Sequence, residues 1–239
     1  MTRIEMRCIL FDVWHTIVEP EVDSREYYRI RVRALLNSCG VPAADLDRAL
    51  EAYLQVHEEI ENIRSDRLVE IPAAEEVRRF FSRLGLDCDV GPAQLRAFAE
   101  PFLKATRVKE GAVAAIQFAR KSGFALGVLA NSPHPGMIRE RLRMAGLEKF
   151  FDAILVSAEV GYRKPHPRAF LSALEALNAP PQGAIMVGDD PKADISGAKS
   201  IGMTTVWVKR EGLAPPEEAD AIVESLADLP RALREIGWV

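Results

Sequence analysis

Short apolar segments recur along the chain, each with the length and composition of a buried β-strand. Five of them stand out, with the sequences CILFDV from residue 8, FALGVLA from 124, DAILVS from 152, AIMVGDD from 184 and TTVWV from 204. Segments of helical spacing separate the last four, at residues 134–146, 166–178 and 191–202. The repeated order of strand, helix and strand predicts an α/β fold, a doubly wound parallel sheet with helices on both faces.

A long segment without a strand pattern follows the first strand. Between residues 20 and 105 the spacing of apolar positions predicts four helices, at residues 24–39, 45–64, 73–84 and 93–105. Prolines at positions 42, 72 and 92 mark the breaks between these helices. The segment is too long for a single crossover of a parallel sheet. It therefore predicts an all-helical module inserted into the α/β fold.

These patterns predict two domains. Residues 1–20 and 106–239 form the predicted α/β core, and residues 21–105 form the predicted helical insertion. A chain of 239 residues is long enough to bury a substantial core. We interpret the tail after residue 210 as a proline-broken loop followed by a short closing helix.

Composition narrows the class of partner. Hydrophobic residues make up 48% of the chain and charged residues 28%, as in ordinary globular proteins. The formal net charge of −4 and the absence of a basic stripe argue against nucleic acid or an anionic membrane as the main partner. A small anionic metabolite remains compatible with this charge, because it needs only local positive charge. Either a monomer or a homodimer fits the sequence.

The cysteines and the N-terminal sequence indicate the cellular compartment of the protein. Cys8, Cys39 and Cys88 lie far apart without a C-x-x-C pair, so neither a disulfide framework nor a zinc ribbon is expected. The N-terminal sequence MTRIEMRCILFDV lacks the apolar core of a signal peptide, and no apolar run approaches membrane-spanning length. We expect a cytoplasmic protein.

Polar side chains follow four of the predicted strands at the point where each strand ends. Asp12 ends the first strand, Asn131 and Ser132 follow the second, Lys164 lies in the loop after the third, and Asp189 and Asp190 follow the fourth. Ligands of open parallel sheets bind at this edge. Three carboxylates gathered there repel one another unless a cation neutralises them. With a lysine beside them they predict a site for Mg²⁺ and a phosphoryl group, since Mg²⁺ binds few carboxylates together with phosphate and water oxygens.

The motifs in combination resemble a known family. FDVWHT, LANS, GYRKPHPRAF and VGDDPKADISGAKSIGM occur in this order, with a helical insertion after the first. The chain thereby resembles the haloacid dehalogenase superfamily of aspartate-nucleophile hydrolases with a helical cap domain. The resemblance covers essentially the whole chain, and it implies that residues 21–105 are the cap.

The resemblance implies catalytic and substrate-binding roles. Asp12 would be the nucleophile, Lys164 would steady its charge and the phosphate, and Asp194 would belong to the catalytic acids. Asn131 and Ser132, after the second strand, would contact the substrate together with Lys164.

The resemblance also implies a metal site. Asp12, Asp189 and the main-chain carbonyl of Trp14 would bind Mg²⁺. Asp190 or Asp194 would complete the acidic site.

Two positions depart from the pattern of the family's phosphatases. Trp14 stands where a second aspartate usually protonates the leaving group and activates water. An indole cannot shuttle protons near neutral pH, so a step normally worth about 10²–10⁴-fold lacks its usual group. His15 and His134 are the candidates to replace it, although packing is the favoured explanation for His15. At the end of the second strand, Ala130 stands where the family has Ser or Thr.

We therefore expect a Mg²⁺-dependent hydrolase of a phosphorylated small molecule, acting through an aspartyl phosphate and favouring acyl or aryl phosphates. An aromatic residue two places after the nucleophile also suits a 2-haloacid dehalogenase, although the intact GDD segment favours phosphoryl chemistry. A catalytically feeble binding or regulatory protein on the same fold is a third hypothesis. A phospho-accepting receiver domain fits the length and the insertion poorly. On the first predicted cap helix, Arg25, Tyr28 and Arg31 can face the site, but helix packing explains the tyrosine equally well, and arginines are most often solvated.

Overall fold

A computed structural model describes residues 7–42 and 45–239. Its strands are β1 (Cys8–Phe11), β2 (Val18–Pro20), β3 (Thr106–Val108), β4 (Ala125–Ala130), β5 (Ala153–Val156), β6 (Ala184–Gly188), β7 (Thr204–Val208) and β8 (Ala221–Val223). Its α-helices are α1 (Ser24–Ser38), α2 (Leu46–Arg67), α3 (Ala73–Arg83), α4 (Pro92–Lys104), α5 (Ala112–Lys121), α6 (Pro135–Met144), α7 (Ser157–Val160), α8 (Pro167–Ala176), α9 (Gly197–Lys199) and α10 (Leu229–Glu235). A π-helical turn, Pro191–Ser196, precedes α9.

The centre of the fold is a parallel sheet of six strands in the order β5-β4-β1-β6-β7-β8. β1 lies in its middle, where Leu10 pairs with Gly127 of β4 on one side and Met186 of β6 on the other. All four residues of β1 are buried, as expected for a strand covered on both faces. The α/β prediction is confirmed, and so are all five predicted strands. Their carboxyl ends share one edge of the sheet.

Three short strands were not predicted. β2 and β3 pair antiparallel on either side of the inserted helices, and β8 extends the sheet within the segment interpreted as a loop. Each has three residues, which is too short for an alternation of apolar and polar positions to stand out.

The helices α1 to α4 occupy the segment predicted to form the insertion. They lie between β2 and β3 in the chain, close to the predicted bounds. The division into an α/β core and a cap domain stays a prediction. None of the helices in the described part of the chain is long and apolar enough to span a bilayer.

One disulfide contradicts the expectation from the cysteines. Cys39, which caps the end of α1, is bonded to Cys88, which precedes α4. Although 49 residues separate them in sequence, packing of α1 along α4 brings their Cα atoms within 6.0 Å. Cysteine spacing carries no signal for such tertiary proximity. Cys8 is free and buried in β1.

A buried polar network joins the inserted helices. Glu76 of α3 is fully buried and accepts hydrogen bonds from the Tyr53 hydroxyl and from Arg64 Nη1 at 3.1 Å. His57 Nδ1 lies 3.0 Å from the same carboxylate. Burial by itself would raise the pKa of Glu76, but the hydrogen bond from His57 and the nearby charges of Arg64 and Arg31 lower it to about 2. The ionised carboxylate therefore holds α2 and α3 together.

This network generates a stability prediction with a neighbouring control. Glu76→Gln is expected to destabilise the protein by about 3 kcal/mol, because it removes the buried charged acceptor that Tyr53, His57 and Arg64 share. Glu75→Gln removes only exposed ion pairs with Arg78 and Arg79, and we expect a change below about 0.5 kcal/mol. Urea denaturation of both variants measures the difference. Equal stabilities would show that the buried network contributes nothing.

Candidate active site

The ammonium group of Lys164 lies at the centre of the site. Its Nζ donates to Asp12 Oδ1 at 2.7 Å and to Asp194 Oδ1 at 2.6 Å, and all three side chains are buried. Burial alone would lower the pKa of Lys164, but the two carboxylates raise it above its ordinary value. Lys164 is therefore positively charged throughout the neutral pH range.

Three separate segments bring this trio together. Asp12 directly follows β1, and its backbone N–H continues the ladder by donating to the carbonyl of Val187 at 2.9 Å. Lys164 lies in the loop between α7 and α8. Asp194 lies in the π-helical turn after β6. The sheet edge predicted from the strand ends is the edge at which they meet.

Asn131 fixes the backbone of Lys164. The Lys164 N–H donates to Asn131 Oδ1 at 2.8 Å, and Asn131 Nδ2 donates to the Lys164 carbonyl at 2.9 Å. This reciprocal pair ties the end of β4 to the lysine loop. The residue predicted to bind substrate thus also positions Lys164.

Close packing holds Asp194 against β6. Its Oδ2 accepts a hydrogen bond from the Asp190 backbone N–H at 3.0 Å. A Cβ atom at Gly188 would lie 2.2 Å from the same Oδ2 atom. Only glycine at this last position of β6 leaves room for the carboxylate.

Three carboxylates form a group that can hold a metal ion. Oxygen atoms of Asp12, Asp189 and Asp194 lie within 4.8 Å of one another, and all three residues are buried. Burial is the main cause that raises the pKa of Asp189 to about 6 and that of Asp194 to about 7, and their mutual repulsion adds to it in Asp189. Burial also raises the pKa of Asp12, against the opposing charge of Lys164. An all-oxygen set of three carboxylates, which Lys164 and Arg210 neutralise only in part, fits a hard divalent cation such as Mg²⁺.

Asp190, predicted as a metal ligand, has a different position from the three clustered acids. Its Oδ1 accepts hydrogen bonds from the backbone N–H groups of Lys192 and Ala193, at 2.9 and 2.7 Å, and so caps the π-helical turn. Asp190 lines the acidic cavity, but the structure brings Asp194 rather than Asp190 into the group with Asp12 and Asp189.

Sequence reasoning missed two partners of Asp189. The Thr16 hydroxyl donates to Asp189 Oδ1 at 3.1 Å, and Arg210 Nη1 lies 3.0 Å from Asp189 Oδ2. Arg210 follows β7 by two residues, so the strand-end rule that found the other residues could have included it. Thr16 carried no such signal.

Two cavities meet at Asp12. A cavity of about 510 Å³ extends towards the inserted helices, and one of about 190 Å³ contains the acids and Lys164. Both are lined by Asp12, Trp14, Asn131 and Arg210. The two cavities therefore adjoin one another at these shared residues.

Trp14 packs between the α/β core and the inserted helices. Its ring stacks on Phe102 of α4 with centroids 5.6 Å apart, and it meets Tyr27 of α1 edge to face at 5.5 Å. The indole forms part of the wall of the larger cavity. At the position where the family's phosphatases usually have a second aspartate, Trp14 thus provides an apolar contact.

The two histidines proposed to replace that acid differ in position. His15 lines the larger cavity, with a left-handed backbone and its carbonyl accepting from Lys109. Burial, together with the charges of Arg210 and Lys109, lowers the pKa of His15 to about 4. His134 is not among the described residues that line this cavity. It begins α6, with its ring beside that of Phe98.

Ala130 and Ser132 stand at the end of β4 as predicted, and both line the larger cavity. Ser132 is buried, and its Oγ lies 3.3 Å from the His134 backbone N–H. Its own N–H donates to Ser157 Oγ at 2.8 Å. The hydroxyl thus contacts its own turn, and the role of Ser132 in substrate binding stays a prediction.

The insertion contacts the segment between β5 and α8, which carries Lys164. Glu70, in the α2–α3 loop, accepts a hydrogen bond from Arg163 Nη1 at 2.9 Å and another from the Ser157 hydroxyl. Its backbone N–H donates to the Gly161 carbonyl at 3.0 Å. Arg163 immediately precedes Lys164, so the insertion contacts the loop that carries the lysine.

The first inserted helix contributes to the larger cavity. Tyr28 and Arg31 line it, which sequence alone left undecided, and Tyr27 and His57 join them. Arg25 instead forms an exposed ion pair with Glu51.

Comparison with known proteins establishes the family. The family described as haloacid dehalogenase-like hydrolase matches residues 6–202. This is more than half of the chain, so the protein belongs to that family of hydrolases.

Individual relatives add detail. A phosphoserine phosphatase of Thermus thermophilus is 42% identical over 129 residues, which are 53% of this chain and 51% of that protein. A glyceraldehyde 3-phosphate phosphatase of Methanopyrus kandleri is 25% identical over 97% of both chains. The chain spans about half the length of the first of these relatives.

Solved structures show the same fold. A phosphatase of the family from Thermococcus onnurineus superposes with a TM-score of 0.68 and 28% identity, over 95% of this chain and 98% of that one. A 2-haloacid dehalogenase from Pseudomonas syringae superposes with a TM-score of 0.69, over 96% of this chain and 99% of that one. Its 22% identity indicates the fold alone.

The acidic group predicts how Mg²⁺ stabilisation depends on pH. Because the pKa values of Asp189 and Asp194 are raised, the contribution of these two carboxyl groups to the stability of the metal-free protein is lost as pH rises from about 4 through about 7. A bound cation favours the ionised carboxylates. The rise in melting temperature on adding Mg²⁺ is therefore expected to be several degrees larger at pH 8 than at pH 5. A rise of the same size at both pH values would contradict a metal site at these acids.

Proposed function

We propose that this protein is a Mg²⁺-dependent phosphatase of small phosphorylated molecules that acts through an aspartyl phosphate on Asp12. The observation that carries the proposal is the buried Lys164 ammonium between Asp12 and Asp194, next to Asp189, at the junction of two cavities. Relatives named phosphoserine phosphatase and glyceraldehyde 3-phosphate phosphatase support phosphate esters as the substrate class.

Asp12 is the nucleophile in this proposal. One carboxylate oxygen attacks phosphorus, the bond to the leaving oxygen breaks, and water then hydrolyses the acyl phosphate to regenerate the carboxylate. Burial raises the pKa of Asp12, which makes the carboxylate more basic and a better nucleophile. Lys164 Nζ orients Asp12 Oδ1 and places a positive charge where the phosphoryl oxygens gather.

Asp12, Asp189 and Asp194 are the residues that would hold Mg²⁺, together with the main-chain carbonyl of Trp14. When bound, Mg²⁺ would neutralise phosphoryl oxygens and act as a Lewis acid. Among the described side chains that contact these acids, Lys164 and Arg210 are the cations. Three carboxylates against two cations leave room for further positive charge.

Leaving-group protonation is the weak step. Trp14 supplies no acid or base, and His15, with a pKa of about 4, is neutral at pH 7 and cannot donate a proton as an imidazolium. The site therefore suits leaving groups that depart as stable anions. This favours acyl and aryl phosphates over alkyl phosphates.

The proposed role of Asp12 as the nucleophile can be tested by substitution. Asp12→Asn is expected to abolish release of phosphate from p-nitrophenyl phosphate and acetyl phosphate, because a neutral amide cannot attack phosphorus. Chelation of Mg²⁺ should silence the wild type as well. Asp66→Asn, at an exposed position of α2, is the control and should retain full activity. Halide release from a 2-haloacid, with no phosphate release, would replace the proposal by dehalogenation.

A second prediction concerns the leaving group. We expect kcat/KM for acetyl phosphate and p-nitrophenyl phosphate to exceed that for a simple alkyl phosphate by about 10²-fold or more, the usual contribution of a positioned acid. His15→Ala should leave that ratio unchanged. Similar rates for both substrate types, or a ratio that grows in His15→Ala, would show that the enzyme has a proton donor after all.

A further inference from the structure

Arg210 lies between the acidic group and the larger cavity. Its Nη1 is 3.0 Å from Asp189 Oδ2, and it lines both the 190 Å³ and the 510 Å³ cavities. The arginine side chain is 38% exposed to solvent, whereas that of Asp189 is 3% exposed. The guanidinium can therefore move without unpacking the site.

Lys164 and Arg210 pair with different acids of the group. Lys164 is committed to Asp12 and Asp194. Thr16 offers Asp189 a neutral hydroxyl on its other oxygen. In the part of the chain that the structure describes, Arg210 is the cation that forms an ion pair with Asp189.

A divalent cation among the acids would meet this guanidinium at close range. Both are attracted to Asp189, and like charges repel. Only one of the five guanidinium N–H groups is needed for the contact with Asp189, so the others are available to an anion. Arginine binds phosphate in this way, through paired N–H groups.

We propose that Arg210 exchanges partners during binding: it neutralises Asp189 when no metal is bound, and it contacts the phosphoryl group of the substrate when the metal takes its place. The proposal rests on the proposed function, since it needs a metal and a phosphoryl group at the same site. It assigns to Arg210 two effects of opposite sign, on metal affinity and on phosphate affinity.

Calorimetric titration with Mg²⁺ alone tests the first effect. Arg210→Gln should bind Mg²⁺ about fivefold more tightly than the wild type, the factor that corresponds to losing one partly exposed ion pair with the competing cation. Lys209→Gln, which removes the neighbouring cation that pairs with Glu224, should leave the Mg²⁺ affinity unchanged. Arg210→Lys keeps the charge and should lie close to the wild type.

Titration with inorganic phosphate in the presence of saturating Mg²⁺ tests the second effect. Arg210→Gln should bind phosphate about tenfold more weakly, because a charged hydrogen bond to the anion is lost. Arg210→Lys should be intermediate, since ammonium offers a point charge without the paired N–H groups. Lys209→Gln should again match the wild type.

The outcomes separate this inference from the proposed function. Tighter Mg²⁺ binding with weaker phosphate binding supports the exchange. Weakening of both shows a structural role for Arg210, and no change in either, or a change in only one, also overturns the exchange while leaving the phosphatase proposal intact. A wild type that binds neither Mg²⁺ nor phosphate contradicts both proposals.

Discussion

One buried ammonium group determines how the site is built. A buried lysine would cost several kcal/mol if it were unpaired, so Lys164 can lie at the sheet edge only where carboxylates neutralise it, as Asp12 and Asp194 do. That constraint requires the end of β1, the loop before α8 and the π-helical turn after β6 to converge within hydrogen-bonding distance. Asn131 then holds the lysine backbone, and Gly188 leaves space for Asp194. The nucleophile proposed here is thus oriented by the same contacts that stabilise the fold.

The inserted helices belong to this arrangement as well as to the cavity. Their α2–α3 loop contacts the loop that carries the lysine through Glu70, and Trp14 packs on α1 and α4 from the core side. The indole at this position therefore has a physical role that an aspartate could not fill. It closes an apolar contact between the insertion and the core, and the consequence is the absence of the usual proton donor. The proposed preference for acyl and aryl phosphates follows from this replacement of an acid by an apolar side chain.

The sequence predicted the sheet and most of the site because both follow local rules. Buried strands leave apolar runs, and polar residues at strand ends converge by topology, so the sequence alone predicts that Asp12, Lys164 and Asp189 lie together. What escaped prediction depends on tertiary distance or on very short segments. The strands β2, β3 and β8 are too short to show a period, and the Cys39–Cys88 disulfide depends on how α1 packs on α4. Likewise, hydrogen bonds alone distinguish Asp190, which caps a turn, from Asp194, which joins the acidic group.

The central claim is that the Asp12 carboxylate attacks phosphorus. Acid quenching during turnover of acetyl phosphate with Mg²⁺, followed by proteolysis and mass spectrometry, tests it most directly. We expect one phosphoryl group on the peptide that contains Asp12, removed by hydroxylamine as is usual for an acyl phosphate. Turnover without any phosphorylated Asp12, or with the phosphoryl group on another residue, would contradict it.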